Sequence, residues 1–164
     1  MRGLFLFAVG ALSGIALHGA IAQSGTPDIG AVNHVGINVP NLEEAAAYYT
    51  DVMGFPEAFR LNNDEGELDM VYVQVSQNTF VELRPANENR PAGITHFGLH
   101  VNNLENLYTT LSERGADIQE VRASGAGTFA ILSNVIDPYG NRMELTELPP
   151  ESLHRQAMER WQSR

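Results

Sequence analysis

The chain has 164 residues, enough for one domain with a sizeable core, and a formal charge of −10 from 10 basic and 20 acidic side chains. Every basic residue is Arg and there is no Cys, which excludes Schiff-base chemistry, a Lys general base, disulfides, a thiol nucleophile and a Cys-ligated zinc. So acidic a chain repels phosphate backbones, and no nucleic-acid partner is expected.

In chain order, residues 1–22 come first. Arg2 gives a positive start, Gly3 to Leu17 form an apolar run, and Ala20-Ile21-Ala22 reads as a small-x-small cleavage site before Gln23. That is the form of a secretory signal peptide. The apolar run is short of the ~20 residues a membrane span needs. Export to the periplasm or the medium is expected, with no integral membrane segment after cleavage. Residues 23–30, QSGTPDIG, read as a polar linker.

A domain is predicted over 31–148. Its first strand carries Val32, His34, Gly36 and Asn38 on one face and Val35, Ile37 and Val39 on the other. Asn41 is a helix N-cap, and the helix runs from Leu42 to Val52 and stops at Gly54. Strands follow at Arg60 to Asn63, Leu68 to Val75 and Thr79 to Arg84, so module 1, residues 31–85, is βαβββ. Pro85 to Gly93 is a polar connector. Module 2, residues 93–148, repeats the order: strand Ile94 to Val101, helix Leu104 to Arg114 closed by Gly115, and strands Ile118 to Arg122, Phe129 to Ile136 and Arg142 to Glu147. Asp137 to Asn141 is a turn with Pro138 presetting φ. The tail, 149–164, is predicted to be an amphipathic helix with Leu153, Ala157 and Trp161 on the face that docks.

The two modules are copies. VNHVGINVPNLEE at Val32 returns as ITHFGLHVNNLEN at Ile94, and every match is 62 positions apart. The same offset pairs Glu82 with Glu144 near the end of each module. A single strand histidine is usually structural, and a glutamate often sits at a solvated sheet edge. Here both recur on matching strands, so a pseudo-twofold would bring His34, Glu82, His96 and Glu144 towards one axis. Two imidazoles and two carboxylates suit one divalent cation of the Ni, Zn, Mn or Fe type. Such an ion polarises substrate oxygens and acidifies a neighbouring C–H. By strand parity His100 joins the histidine face as a donor or acid. Asn38 and Arg84 complete the expected pocket, and Arg90 reads as solvated. Tyr48, Tyr49 and Tyr72 read as packing residues.

VNHVGINVPNLEEAAAYYTDVMGF, THFGLHVNNLENLYTTLSERG and VIDPYGNRMELTE resemble the openings and the close of a vicinal oxygen chelate domain, as in glyoxalases, bleomycin-resistance proteins and extradiol dioxygenases. The resemblance spans about Ile29 to Leu148. It implies an α+β fold in which two βαβββ modules form an open mixed β-barrel or sheet around a metal, with a C-terminal helix. The His, Glu, His, Glu order is similar to glyoxalase I. That implies His34, Glu82, His96 and Glu144 as ligands, with Glu144 or Glu82 as the base in a lyase or isomerase acting on a small oxygenated compound. Asn38 and Ala86 stand where bacterial glyoxalase I has residues that help hold glutathione. Two other readings follow from the same resemblance. One is an Fe(II) extradiol dioxygenase using His34, His96 and Glu144. The other is a binding protein that sequesters a small molecule without catalysis. Members of the superfamily pair modules within one chain or across a homodimer.

Overall fold

The computed structural model describes residues 28–161; the expected leader at 1–22 lies outside them. Within them the expected α+β pair of modules is present. Module 1 comprises β1 (Ile29–Val39), α1 (Leu42–Ala47) running on into a π-helical turn (Tyr48–Val52), β2 (Glu57–Asn62), β3 (Leu68–Ser76) and β4 (Thr79–Pro85). Module 2 comprises β5 (Gly93–Val101), α2 (Leu104–Glu113), β6 (Asp117–Ile118), β7 (Arg122–Ala123), β8 (Ile131–Ile136) and β9 (Arg142–Glu147). The single strand expected at Ile118 to Arg122 is thus broken into the short pieces β6 and β7, both paired with β8. α3 (Leu153–Trp161) ends the described chain.

All nine strands form one open sheet in the order β2-β3-β4-β1-β5-β9-β8-β6, with β7 also on β8. Within each module the first strand runs parallel to the last, β1 with β4 and β5 with β9. The modules meet at the antiparallel pair β1–β5. The repeated Asn-Leu-Glu run earns its place at the helix starts. The Asn41 side chain accepts from the Glu44 N–H at 3.2 Å, and Asn103 from the Asn106 N–H at 3.0 Å. Each helix then covers the outer face of its own module. α1 packs Leu42 and Ala46 on Val71, Val73 and Leu83. α2 packs Leu104 and Leu107 on Val101, Val135 and Leu145. The alternate residues of the same strands face inwards.

A third apolar cluster lies on the inner side, where Ala157 and Met158 of α3 meet Met70, Tyr72, Phe80, Leu132 and Leu148. The buried face of α3 is therefore His154, Ala157 and Met158, rather than Leu153, Ala157 and Trp161. A hydropathy pattern scores His154 as polar and so rotates the helix. The helix start is pinned twice: Ser152 Oγ accepts from the Arg155 N–H, and the Leu153 N–H donates to Thr128 O at 3.0 Å.

Three register shifts mark the β1–β5 seam, one between Ile29 and Val32 and two beside the histidines. Val32 pairs with Leu99 and His34 with Gly98, leaving Asn33 as an extra residue. Gly36 pairs with His96 and Ile37 with Ile94, leaving Thr95 extra. A bulge reverses alternation across it. Val32 therefore shares the outer face with Leu99, not the His34 face that simple parity assigned it.

Candidate metal centre

The four repeated side chains converge. His34 from β1, Glu82 from β4, His96 from β5 and Glu144 from β9 are all buried. His34 Nε2 lies 2.9 Å from His96 Nε2. It is also 3.6 Å from Glu82 Oε2 and 3.5 Å from Glu144 Oε1. His96 Nε2 is 3.7 Å from Glu82 Oε2. His34, His96 and Glu144 each offer a ligand atom, all within 4.8 Å of one another.

The glycine two residues after each histidine explains how the rings come so close. His34 sits opposite Gly98 and His96 opposite Gly36. A Cβ on Gly98 would lie 2.1 Å from His34 Cε1, and one on Gly36 would lie 2.1 Å from His96 Cε1. Each ring lies across the other module's glycine. The room that the sequence suggested beside each histidine therefore serves the partner copy.

The bulged residues orient the rings. The Nδ1–H of His34 donates to Asn33 Oδ1 at 3.0 Å. Thr95 Oγ1 donates to Gly36 O at 3.1 Å and accepts from His96 Nδ1 at 2.8 Å. With Nδ1 carrying the proton in both rings, the two Nε2 atoms, 2.9 Å apart, each present a lone pair. Arg142 Nη2 also abuts His96 Nδ1. A guanidinium only donates, so that contact needs the opposite tautomer and competes with Thr95. Asn33 and Thr95 stand immediately before the histidines in both copies; the signal was in the repeat but was missed, because parity put them on the far face.

Burial sets the charges. It pushes His34 down to about 3, helped by Arg142, and His96 down to about 4 despite Glu82. Both imidazoles are therefore neutral near neutral pH. Burial and the Glu82 carboxylate push Glu144 up to about 7. Two imidazole nitrogens this close to two buried carboxylates make a donor set for a positive ion. A nitrogen separation of 2.9 Å also suits one ion ~2.1 Å from each, seen at about a right angle. The donor set thus fits a divalent cation.

Tyr72 is more than packing. Its hydroxyl donates to Glu82 Oε2 at 2.6 Å, and burial, then Glu82, hold the phenol well above its ordinary range. Tyr48 is half exposed, and Tyr49 packs on the α1 side. Thr146 Oγ1 donates to Glu144 Oε1 at 3.4 Å, and Arg142 Nη1 stands 3.8 Å from Oε2.

These groups line a cavity of about 960 Å³. Asn38, Arg84, Arg90, Arg122, Arg142 and His154 are among its walls. Asp69 pairs with both Arg84 and Arg90, so Arg90 is held at the cavity rather than merely solvated. His100 is absent from the walls, which corrects its expected place in the pocket. It pairs with Thr146 along the sheet, and burial, then Arg155 of α3, lowers its imidazole pKa.

The duplicated unit, the edge-to-edge seam and the cavity centred on two His and two Glu define a class of two-module α+β proteins. The chain belongs to the Glyoxalase/Bleomycin resistance protein/Dioxygenase superfamily, whose family model matches residues 31–145. Human mitochondrial methylmalonyl-CoA epimerase is 25% identical over 132 residues, 73% of this chain and 75% of that protein. Methylmalonyl-CoA epimerase from Mycobacterium tuberculosis superposes with a TM-score of 0.66 at 22% identity, over 77% of this chain and 93% of that one. The Streptomyces coelicolor epimerase in complex with 2-nitronate-propionyl-CoA gives 0.61 at 13% identity, over 76% and 98%. At these identities the structural likeness is one of fold.

Proposed function

We propose that this protein is a metal-dependent isomerase that moves a proton on and off a carbon beside a carbonyl in a small, anionic, oxygen-bearing substrate. The observation that carries this is the pair of imidazole Nε2 atoms 2.9 Å apart between two buried carboxylates. The similarity to epimerases supports the isomerase class; a glyoxalase-type lyase is the finer variant. His34, Glu82, His96 and Glu144 would hold one divalent ion of the Ni, Zn, Mn or Fe type. When bound, it polarises substrate oxygens and acidifies the adjacent C–H. Glu144, one of the two carboxylates at the centre, takes and returns the proton. Thr146 and Arg142 hold its two oxygens in place. Glu82, anchored by Tyr72, is the other candidate base. The arginines in the cavity wall favour a carboxylate on the substrate.

The three nearest donors, His34, His96 and Glu144, also match the facial triad of a ferrous dioxygenase. Against that, Glu82 is as close to both imidazoles as a fourth ligand would be.

The leader supports export, and the bare seam described below supports a homodimer. Among the described residues no helix is long and apolar enough to cross a membrane.

Metal content after aerobic and anaerobic purification is the first test, with one divalent ion per chain expected. The second is deuterium uptake in D2O by methylmalonyl-CoA, the methylglyoxal–glutathione hemithioacetal and free 2-oxo acids. Exchange at the carbon beside the carbonyl is expected with at least one, falling about a hundredfold or more in Glu144→Gln. Oxygen-labile iron without exchange would instead support the dioxygenase; no metal would support a binding protein.

A further inference from the structure

His154 belongs to no role assigned so far. It is 2% exposed, lines the cavity, and neither ring nitrogen has a hydrogen-bond partner. A neutral imidazole always carries one N–H donor and one acceptor. Leaving such groups buried and unmet costs about 1–3 kcal/mol each, so native proteins rarely do so without a purpose. The ring is also held firmly. Tyr72, Phe59 and Phe80 meet it edge-on, with centroids at 4.6, 5.0 and 5.4 Å. Behind it, the two bonds at Ser152 and Leu153 fix the start of α3. On its other side, at a centroid distance of 6.4 Å, lies His34. A polar group locked in an aromatic box on the cavity wall, beside the reaction centre, is placed to meet a ligand.

The surroundings specify what kind of group it meets. Burial, then the neighbouring His34 imidazole, keeps the ring uncharged. Among the described residues no carboxylate or guanidinium acts on the charge of the ring, whereas the arginines elsewhere in the cavity wall can balance an ionic ligand group. A carboxylate brought against His154 would lose its water without gaining a counter-charge. An uncharged oxygen pays no such penalty and satisfies the ring.

We propose that His154 is a substrate-contacting residue, hydrogen-bonding an uncharged carbonyl or hydroxyl oxygen of the substrate between α3 and the His34–Glu82–His96–Glu144 centre. This deepens the isomerase reading and rests on it for the identity of the substrate. It assigns α3 a part in recognition as well as in packing.

The test compares the wild type with His154→Phe, which keeps the ring shape and removes both nitrogens, and His154→Gln, which restores a neutral donor and acceptor. Three readouts are taken on full-length, metal-loaded protein. Metal stoichiometry should be unchanged in both variants. The thermal midpoint without substrate should be equal or higher in His154→Phe, since an unmet imidazole is gone. With whichever of the three probe compounds the wild type turns over, KM should rise about tenfold in His154→Phe and recover in His154→Gln. A large fall in thermal midpoint in His154→Phe would show that the imidazole holds the fold together and would overturn the proposal. So would an unchanged KM. If the wild type turns over none of the probes, the isomerase reading fails on its own, while the thermal midpoint still decides whether His154 is structural.

Discussion

Gly98 has no side chain, and the space one would fill is taken by the His34 ring. Alanine there would put a Cβ 2.1 Å from His34 Cε1, and the ring, hemmed in by Tyr72 and His96, has little freedom to give way. Gly98→Ala is therefore expected to cost about 1–3 kcal/mol or more by overpacking, and to abolish metal binding by displacing a ligand. Thermal unfolding and metal content check both. The same rings govern pH response once metal is stripped. Burial holds His34, His96 and His154 at about 3, 4 and 3, against an ordinary 6.5. As pH falls from 6.5 towards 4, the unfolded chain takes up protons that the folded form refuses, so these three destabilise the fold. Glu144 acts in reverse. Raised to about 7 from 4.5, it keeps a proton that the unfolded chain releases, and its contribution is lost as pH rises through that window. Three groups outweigh one, so thermal midpoints of chelated protein should fall as pH drops from 6.5 towards 4. A flat or rising trend would show that the histidines are not neutral by burial.

At the level of elements, the bulges at Asn33 and Thr95 do the orienting. Thr95→Ala removes the acceptor that keeps His96 Nδ1 protonated and hands that nitrogen to Arg142. A loss of about tenfold in metal affinity is expected, with Thr95→Ser restoring it; metal titration by calorimetry reads the difference. The bulges also show what the sequence could and could not tell. Helix starts were legible because Asn41 and Asn103 carry their own capping chemistry. The histidine and glutamate faces were legible because β1 itself carries no extra residue between His34 and Asn38, and β4 runs beside β1 in unbroken register. Val32 was misplaced because a bulge adds a residue without leaving a mark in hydropathy. Tyr72 and His154 were passed over for a different reason: their roles come from partners far along the chain, Glu82 and the cavity, which no local pattern encodes. The split of β6 from β7 is likewise set by how each piece reaches β8.

On the scale of the whole molecule, the helices cover the outer sheet face on either side but leave the seam bare. Val32, Phe97 and Ile94 are 45%, 37% and 76% exposed there. Val32 and Ile94 are equivalent positions in the two copies, so the patch is roughly self-complementary, as a twofold interface requires. A homodimer through this face is expected, and Ile94→Asp should yield monomers of unchanged metal content. Light scattering after gel filtration checks it; a wild-type monomer at all concentrations would refute it. The crossing of each histidine over the opposite glycine reaches further still. Neither half owns a finished floor for its own imidazole, since each borrows that floor from the other. Loops and helix surfaces are at liberty to diverge between the two copies, and they have. At the crossing, any enlargement in one copy must wait for a reduction in the other, so the two halves can age only in step.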